Sequence, residues 1–302
     1  MKPCRDFLET AFERRFQGWL RHAWHNRSWH VIAAVPGSGK SLGIHDLVLH
    51  SGAYKAATGT TRLPILAVRS PKNDAREHGL ISALSSAFGV VPTMSGTLRR
   101  CWLVRMMASA QVECLIIDDI QDLNVRHFAF LKELTDNLAA PPYQRSLGLC
   151  FVAAHGSKTV PFQATFAGPE TLWRQFHRRL DTENRYIIIP GHTEEEIHPI
   201  LATFEDLYRD QLPDVQLRRW TKPLFTWLTN PILDPDATGR VTMDNLTKLV
   251  TIALRRAYER GATDVDTTLL GEVADLMILR RDEITPGDTL FFSKPGPERE
   301  AG

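Results

Sequence analysis

The chain has 302 residues, 43% of them hydrophobic, enough for one sizeable core or for an α/β domain carrying a smaller helical appendage. Lys and Arg number 36 against 35 Asp and Glu, a formal net charge of +1, so the chain is no polycation and any nucleic-acid contact must come from a local patch. Cys4, Cys101, Cys114 and Cys150 contain no CxxC pair, charges between Arg5 and Arg15 interrupt any secretory leader, and no apolar run approaches the roughly 20 residues of a membrane span. The expectation is a soluble, cytoplasmic protein with reduced cysteines.

In chain order, Leu8, Phe12, Phe16, Trp19, Leu20, Ala23 and Trp24 recur at helical spacing, which predicts an amphipathic helix over the first 25 residues or so, packed on the domain that follows. His30 to Val35 is a short apolar run ended by Pro36-Gly37, the pattern of a buried parallel strand entering a tight loop. A helix is predicted from Leu42 to a stop near Ser51-Gly52. Further strands are predicted at Leu63 to Val68, Cys114 to Ile117, Leu147 to Ala154 and Tyr186 to Ile189, with helices at Asp74 to Phe88 and Leu98 to Ala110. Five strands alternating with helices predict a doubly wound, five-stranded parallel sheet.

After Pro190 the strand signals stop. Thr193-Glu-Glu-Glu196 is a capping-box start, with Pro199 expected to kink or delay the helix. Leu246 to Tyr258 forms an apolar stripe stopped by Gly261, and a last helix runs from Thr267 to about Leu279. The predicted organisation is an N-terminal helical segment (1–27), an α/β domain (28–190), a helical lid (191–284) and a flexible tail (285–302).

Ala34-Val-Pro-Gly-Ser-Gly-Lys-Ser41 matches the P-loop pattern except for Ala34 in place of the first glycine. Pro36, Gly37, Ser38, Gly39, Lys40, Ser41 and Leu42 are the predicted nucleotide-binding residues. The glycines let backbone N–H groups turn toward phosphate oxygens, Lys40 reaches the terminal phosphates of ATP, and the Ser41 hydroxyl ligates Mg2+. A turn that merely links strand to helix is the plainer alternative, disfavoured by the strand before and the helix after. Cys114-Leu-Ile-Ile-Asp118-Asp119 is an apolar strand ending in two acids, where a parallel sheet presents ligands. Asp118 is the predicted magnesium residue and Asp119 the general base for an attacking water.

With these motifs in this order, the chain resembles the AAA+ ATPases, and within them the TniB/TnsC-type transposition regulators. The finer resemblance rests on Ala33 to Ser41, Arg69-Ser-Pro71, Leu115-Ile-Ile-Asp-Asp-Ile-Gln-Asp-Leu123, Gln175-Phe-His-Arg-Arg-Leu180 and Thr193 to Glu196. It implies an ATP-driven homo-oligomer, ring or filament, that binds duplex DNA and recruits or activates a transposase, with a target-selection adaptor as a further partner. It also implies an arginine acting on the neighbouring subunit's site, Arg178 or Arg179, and a polar sensor of the terminal phosphate, for which His155 is the candidate against a plain structural role. Lys248 is either a second sensor or a solvated lysine. Arg69, Lys72, Arg76, Arg99, Arg100 and Arg105 are the candidate DNA contacts, each also readable as part of a solvated face. Ala34 and the short Asp119 depart from the pattern, so binding of ATP is expected to be firmer than its hydrolysis.

Overall fold

The computed structural model describes residues 9–55, 61–72, 76–89, 96–154, 160 and 162–279. Helix α1 (Ala11–Asn26) begins where the Thr10 side chain accepts the Glu13 N–H at 3.1 Å, and it buries Phe12, Phe16, Leu20 and Ala23 on one face. Strand β1 (Trp29–Ala34) is buried throughout, as a central parallel strand must be, and leads through the glycine loop into α2 (Lys40–Leu49). A two-stranded antiparallel ribbon, β2 (Tyr54–Lys55) and β3 (Thr61–Arg62), precedes β4 (Ile65–Arg69).

Then come α3 (His78–Ala87), α4 (Gly96–Ser109), β5 (Cys114–Asp118), α5 (Val125–Ala139), β6 (Gly148–Ala154), the short α6 (Gln163–Phe166), α7 (Thr171–Arg179) and β7 (Tyr186–Ile189). The large sheet has the order β4-β5-β6-β1-β7, all pairs parallel. This is the predicted five-stranded sheet. β6 lies between the glycine-loop strand and the acidic strand.

Alternation along the strands sends side chains to two cores. Val31, Ala33, Leu115 and Ile117 face a layer that includes α3, α4, α5 and α7, where Phe128, Phe151, Phe166, Trp173 and Phe176 pack ring against ring. Ile32, Ala34, Cys114, Ile116 and Cys150 face α1 and α2. The predicted packing role of the strand cysteines holds, whereas Cys101 is exposed and Cys4 lies outside the described residues.

Beyond β7 the chain is helical: α8 (Glu194–Tyr208), α9 (Thr221–Leu228), α10 (Met243–Glu259) and α11 (Thr267–Leu279) enclose a separate core around Leu201, Phe204, Leu249, Ala253 and Val273. Trp220 and Trp227 pack against that core and Trp173 lies inside the sheet core, the packing roles their setting suggests.

Pro199 does not delay α8. The capping box closes at Thr193, with Glu196 N donating to Thr193 Oγ1 and Thr193 N to the Glu196 carboxylate, both at 3.1 Å, so the helix starts there and absorbs the proline in its second turn. Helix α3 starts at His78 rather than near Asp74, which lies outside the described residues, as does the tail.

Candidate functional site

Two parallel strand ends build the site. At the end of β1, Gly37 and Gly39 have φ of +73° and +100°, conformations open to glycine, and Gly39 occupies the N-cap of α2 without a side-chain cap. The first N–H groups of α2 are thereby left for an anion. Lys40 is buried and its Nζ donates to the carbonyls of Ala34 (3.2 Å) and Val35 (3.1 Å); burial pulls its pKa below the usual lysine value while Asp118 and Asp119 oppose that shift. Ala34 is the last residue of β1, extended and paired with Ala154 and Ile189, so the missing first glycine asks nothing of the backbone there. Pro36 is exposed, Leu42 projects from the first turn of α2, and buried Ser38 has no hydrogen-bond partner for its hydroxyl among the described residues.

At the end of β5, Asp118 Oδ2 accepts the Ser41 hydroxyl at 2.6 Å. A hydroxyl and a carboxylate converging this closely are the ligand types a hard divalent cation takes, so Ser41 and Asp118 fit magnesium, and the glycine loop with Lys40 fits the phosphates of ATP. Asp119 adopts φ +57°, which turns its side chain away from the strand direction; Arg69, the last residue of β4, donates to its Oδ2 from Nε and Nη2, both at 2.6 Å. Gln121 ties the same carboxylate (Nε2 to Oδ1, 3.3 Å) to the end of β6 (Ala154 N to Oε1, 3.3 Å). The Arg69 partner of Asp119 is not legible in the sequence, because Arg69 is 50 positions away and only the pairing of β4 with β5 brings it near.

The helical region and α1 close on the loop. Asp244 N donates to the Gly37 carbonyl at 2.9 Å from the first turn of α10, and Lys248, one turn on, pairs with Asp244 at 2.7 Å. From α1, Gln17 bridges the Gly43 carbonyl (3.2 Å) and Asp46 (2.8 Å), and the Glu13 carboxyl occupies the space a side chain at Gly43 would need. Burial, then Asp46 and Glu9, raise the Glu13 pKa to about 7. His192, at the start of the helical region, is buried against Phe12 with no hydrogen-bond partner for either ring nitrogen among the described residues, Nδ1 lying 4.0 Å from the Glu196 carboxylate, and burial lowers its pKa to about 4 against the pull of Glu196.

The other predicted residues divide. His155 lies outside the described residues. Arg179 is held within its own subunit by Asp136, by Thr135 Oγ1 at 3.1 Å and by the Trp29 ring at 5.3 Å, while Arg178 is exposed. Both lie in the last turn of α7, the helix that packs beside Trp29, the first residue of β1, whereas the glycine loop follows its last, about 16 Å away for six residues. Of the candidate DNA contacts, Arg69 pairs with Asp119 while its side chain stays largely exposed, and Arg100 pairs with Glu77 and Glu133. Arg99 reaches Ser82 at 3.5 Å, Lys72 and Arg105 are exposed, and Arg76 is partnered.

No family model matches the chain. No curated protein matches it either. Among solved structures, the Aeropyrum pernix ORC2 protein in its ADPNP–ADP complexes is similar at 13% identity and TM-score 0.64, over 91% of this chain and 70% of that one. Its ADP form gives 12% and 0.60 over 91% and 71%. Drosophila ORC bound to DNA gives 12% and 0.55 over 90% of this chain and 62% of that one. At such identity the likeness speaks to fold, and the fold is the AAA+ P-loop α/β fold with a helical C-terminal region. Among the described residues no helix is long and apolar enough to cross a membrane.

Proposed function

We propose that this chain is an ATP-binding AAA+ regulator that assembles on duplex DNA, of the kind that governs transposition, and that hydrolyses ATP slowly until a partner intervenes. One observation carries the nucleotide reading: the Ser41 hydroxyl and the Asp118 carboxylate meet at 2.6 Å beside a glycine loop whose lysine is buried. ATP with magnesium supplies the phosphoryl group to be transferred. Around it, Gly37 to Ser41 would offer backbone N–H groups, Lys40 would exchange the Ala34 and Val35 carbonyls for the terminal phosphates, and Ser41 and Asp118 would hold the cation. Asp119 would accept the proton of the attacking water at a carboxylate oxygen, which requires Arg69 to withdraw, since Nε and Nη2 both donate to Oδ2 and occupy the oxygen the water needs.

Slow turnover follows from that clamp and from an aspartate reach one methylene shorter than glutamate. The assignment to transposition rests on the resemblance of the P-loop, Arg69-Ser-Pro71 and the Leu115–Leu123 stretch to TniB/TnsC-type proteins, and DNA association is supported by a structural neighbour described as bound to DNA. A nucleotide-switched scaffold that never touches DNA is favoured by one observation, the engagement of Arg69 and Arg100 in internal ion pairs.

Duplex-DNA anisotropy and particle imaging with ATP, with ADP and without nucleotide, alongside Lys40→Ala, separate the readings. ATP-dependent binding and assembly that vanish in the variant are the expected result. ATP binding with no affinity for duplex in any state would replace the DNA role with the scaffold, and strand separation would point to a helicase loader.

A further inference from the structure

At the opposite end of β1 from the glycine loop, two histidines and an aspartate from three separate elements converge. His22 comes from the second half of α1, His30 is the second residue of β1, and Asp181 follows α7 in the connection to β7. One ligand atom from each lies within 4.8 Å of the others, and the two imidazoles meet edge to face with centroids 5.3 Å apart. We propose that His22, His30 and Asp181 form a transition-metal site, suited to Zn2+, that pins α1 to the start of β1 and to the chain leaving α7.

The hydrogen bonds behind the cluster are those a metal site needs. His30 is fully buried, and its Nδ1 faces the Asn184 carbonyl at 2.7 Å, so Nδ1 carries the hydrogen and Nε2 keeps a lone pair. The Ser28 hydroxyl, 2.6 Å from Nε2, occupies that lone pair and is the group an ion would displace or recruit. Asp181 is fixed through Oδ1 by the backbone N–H groups of Glu183 (2.9 Å) and Asn184 (2.8 Å), which orients the carboxylate and leaves its second oxygen for ligation. His22 is the adjustable member: the Asn26 amide nitrogen lies 3.1 Å from its Nδ1 and 3.3 Å from its Nε2, so neither ring nitrogen is fixed by a dedicated partner there. Trp19 stands 5.6 Å from the His22 ring and 6.0 Å from the His30 ring and forms an apolar wall.

Two imidazoles with one carboxylate select Zn2+ over Mg2+ and Ca2+, which prefer oxygen alone. Ligand atoms around tetrahedral zinc lie about 3.4 Å apart, so the cluster closes by rotating half-buried His22. The fourth position falls to Ser28 or water. The consequence is a cross-link between the N-terminal helix and the segment that begins just past Arg178 and Arg179.

The test is calorimetric titration of the chelator-stripped full chain with Zn2+ under excess Mg2+ and without nucleotide, paralleled by Co2+ absorption. The proposal expects a single zinc per chain, a raised melting temperature, tetrahedral Co2+ bands, and affinity at least about tenfold weaker in His22→Ala and in Asp181→Asn. His22 is half-buried on a helix surface, and circular dichroism establishes that its variant is folded. Absence of zinc binding in the wild type, or unchanged binding in both variants, overturns the site. So does zinc binding that disappears in Asp118→Asn, which assigns the ion to the phosphate site instead.

Discussion

Glu13 and His192 flank the contact of α1 with the nucleotide loop and the helical region, and their titrations oppose each other. Glu13 has its folded pKa raised from 4.5 to about 7, so its contribution to stability is full below pH 4.5 and is lost as the pH rises through about 7. His192 has its folded pKa lowered from 6.5 to about 4, so its contribution is present above pH 6.5 and lost as the pH falls toward 4. Glu13→Gln keeps the shape and removes the charge. Denaturant melts should show the variant gaining on the wild type from pH 4.5 to 7, by about 3 kcal/mol at most, with the difference flat above that. A difference independent of pH would mean that the Glu13 carboxyl titrates normally. Residue identities in the glycine loop were legible because their spacing is local. The pairing of Arg69 with Asp119 and the burial of Glu13 were not, since both depend on partners brought near only by the sheet and by the seat of α1.

Helix α1 illustrates how packing divides one element. Gly18 sits on its exposed face with nothing within 4 Å of where a side chain would begin, so only helix propensity decides its replacement. Gly18→Ala should stabilise the protein by about 1 kcal/mol in urea unfolding. Gly148, the first residue of β6, faces the other side of the same helix, and a side chain there would collide with the Ala23 carbonyl oxygen, a backbone atom that no rotamer change can move. Gly148→Ala should cost about 1–3 kcal/mol in the same measurement. Equal effects at the two glycines would contradict the placement of α1. The period of its apolar residues predicted this helix and which face is buried; that β6 would be the strand beneath its C-terminal half was not readable, because strand order is a tertiary property.

At the scale of the whole molecule, Arg179 of α7 stands over Trp29, about one strand length from the glycine loop of its own chain, so in the proposed assembly the arginines of α7 are expected to act on another subunit's site. With Arg179 bound to Asp136 and stacked on Trp29, Arg178 is the residue expected to reach a neighbour. Arg178→Ala should lower DNA-stimulated ATP hydrolysis by about a thousandfold in homogeneous assemblies, while leaving nucleotide affinity close to that of wild type. Mixing it with Lys40→Ala, which retains Arg178, should restore activity, because sites lacking one partner receive it from the other chain. No recovery on mixing would place the arginine's effect within its own subunit.

The hydrogen bond from Asp244 N to the Gly37 carbonyl joins the phosphate loop to the end of a 17-residue helix. Such a helix is about 25 Å long, and a tilt of about 5° at its anchored end displaces the other by about 2 Å. Any rotation of the Gly37 peptide that tilted α10 as a rigid rod would therefore be amplified along the helix and read out at Glu259, its far end.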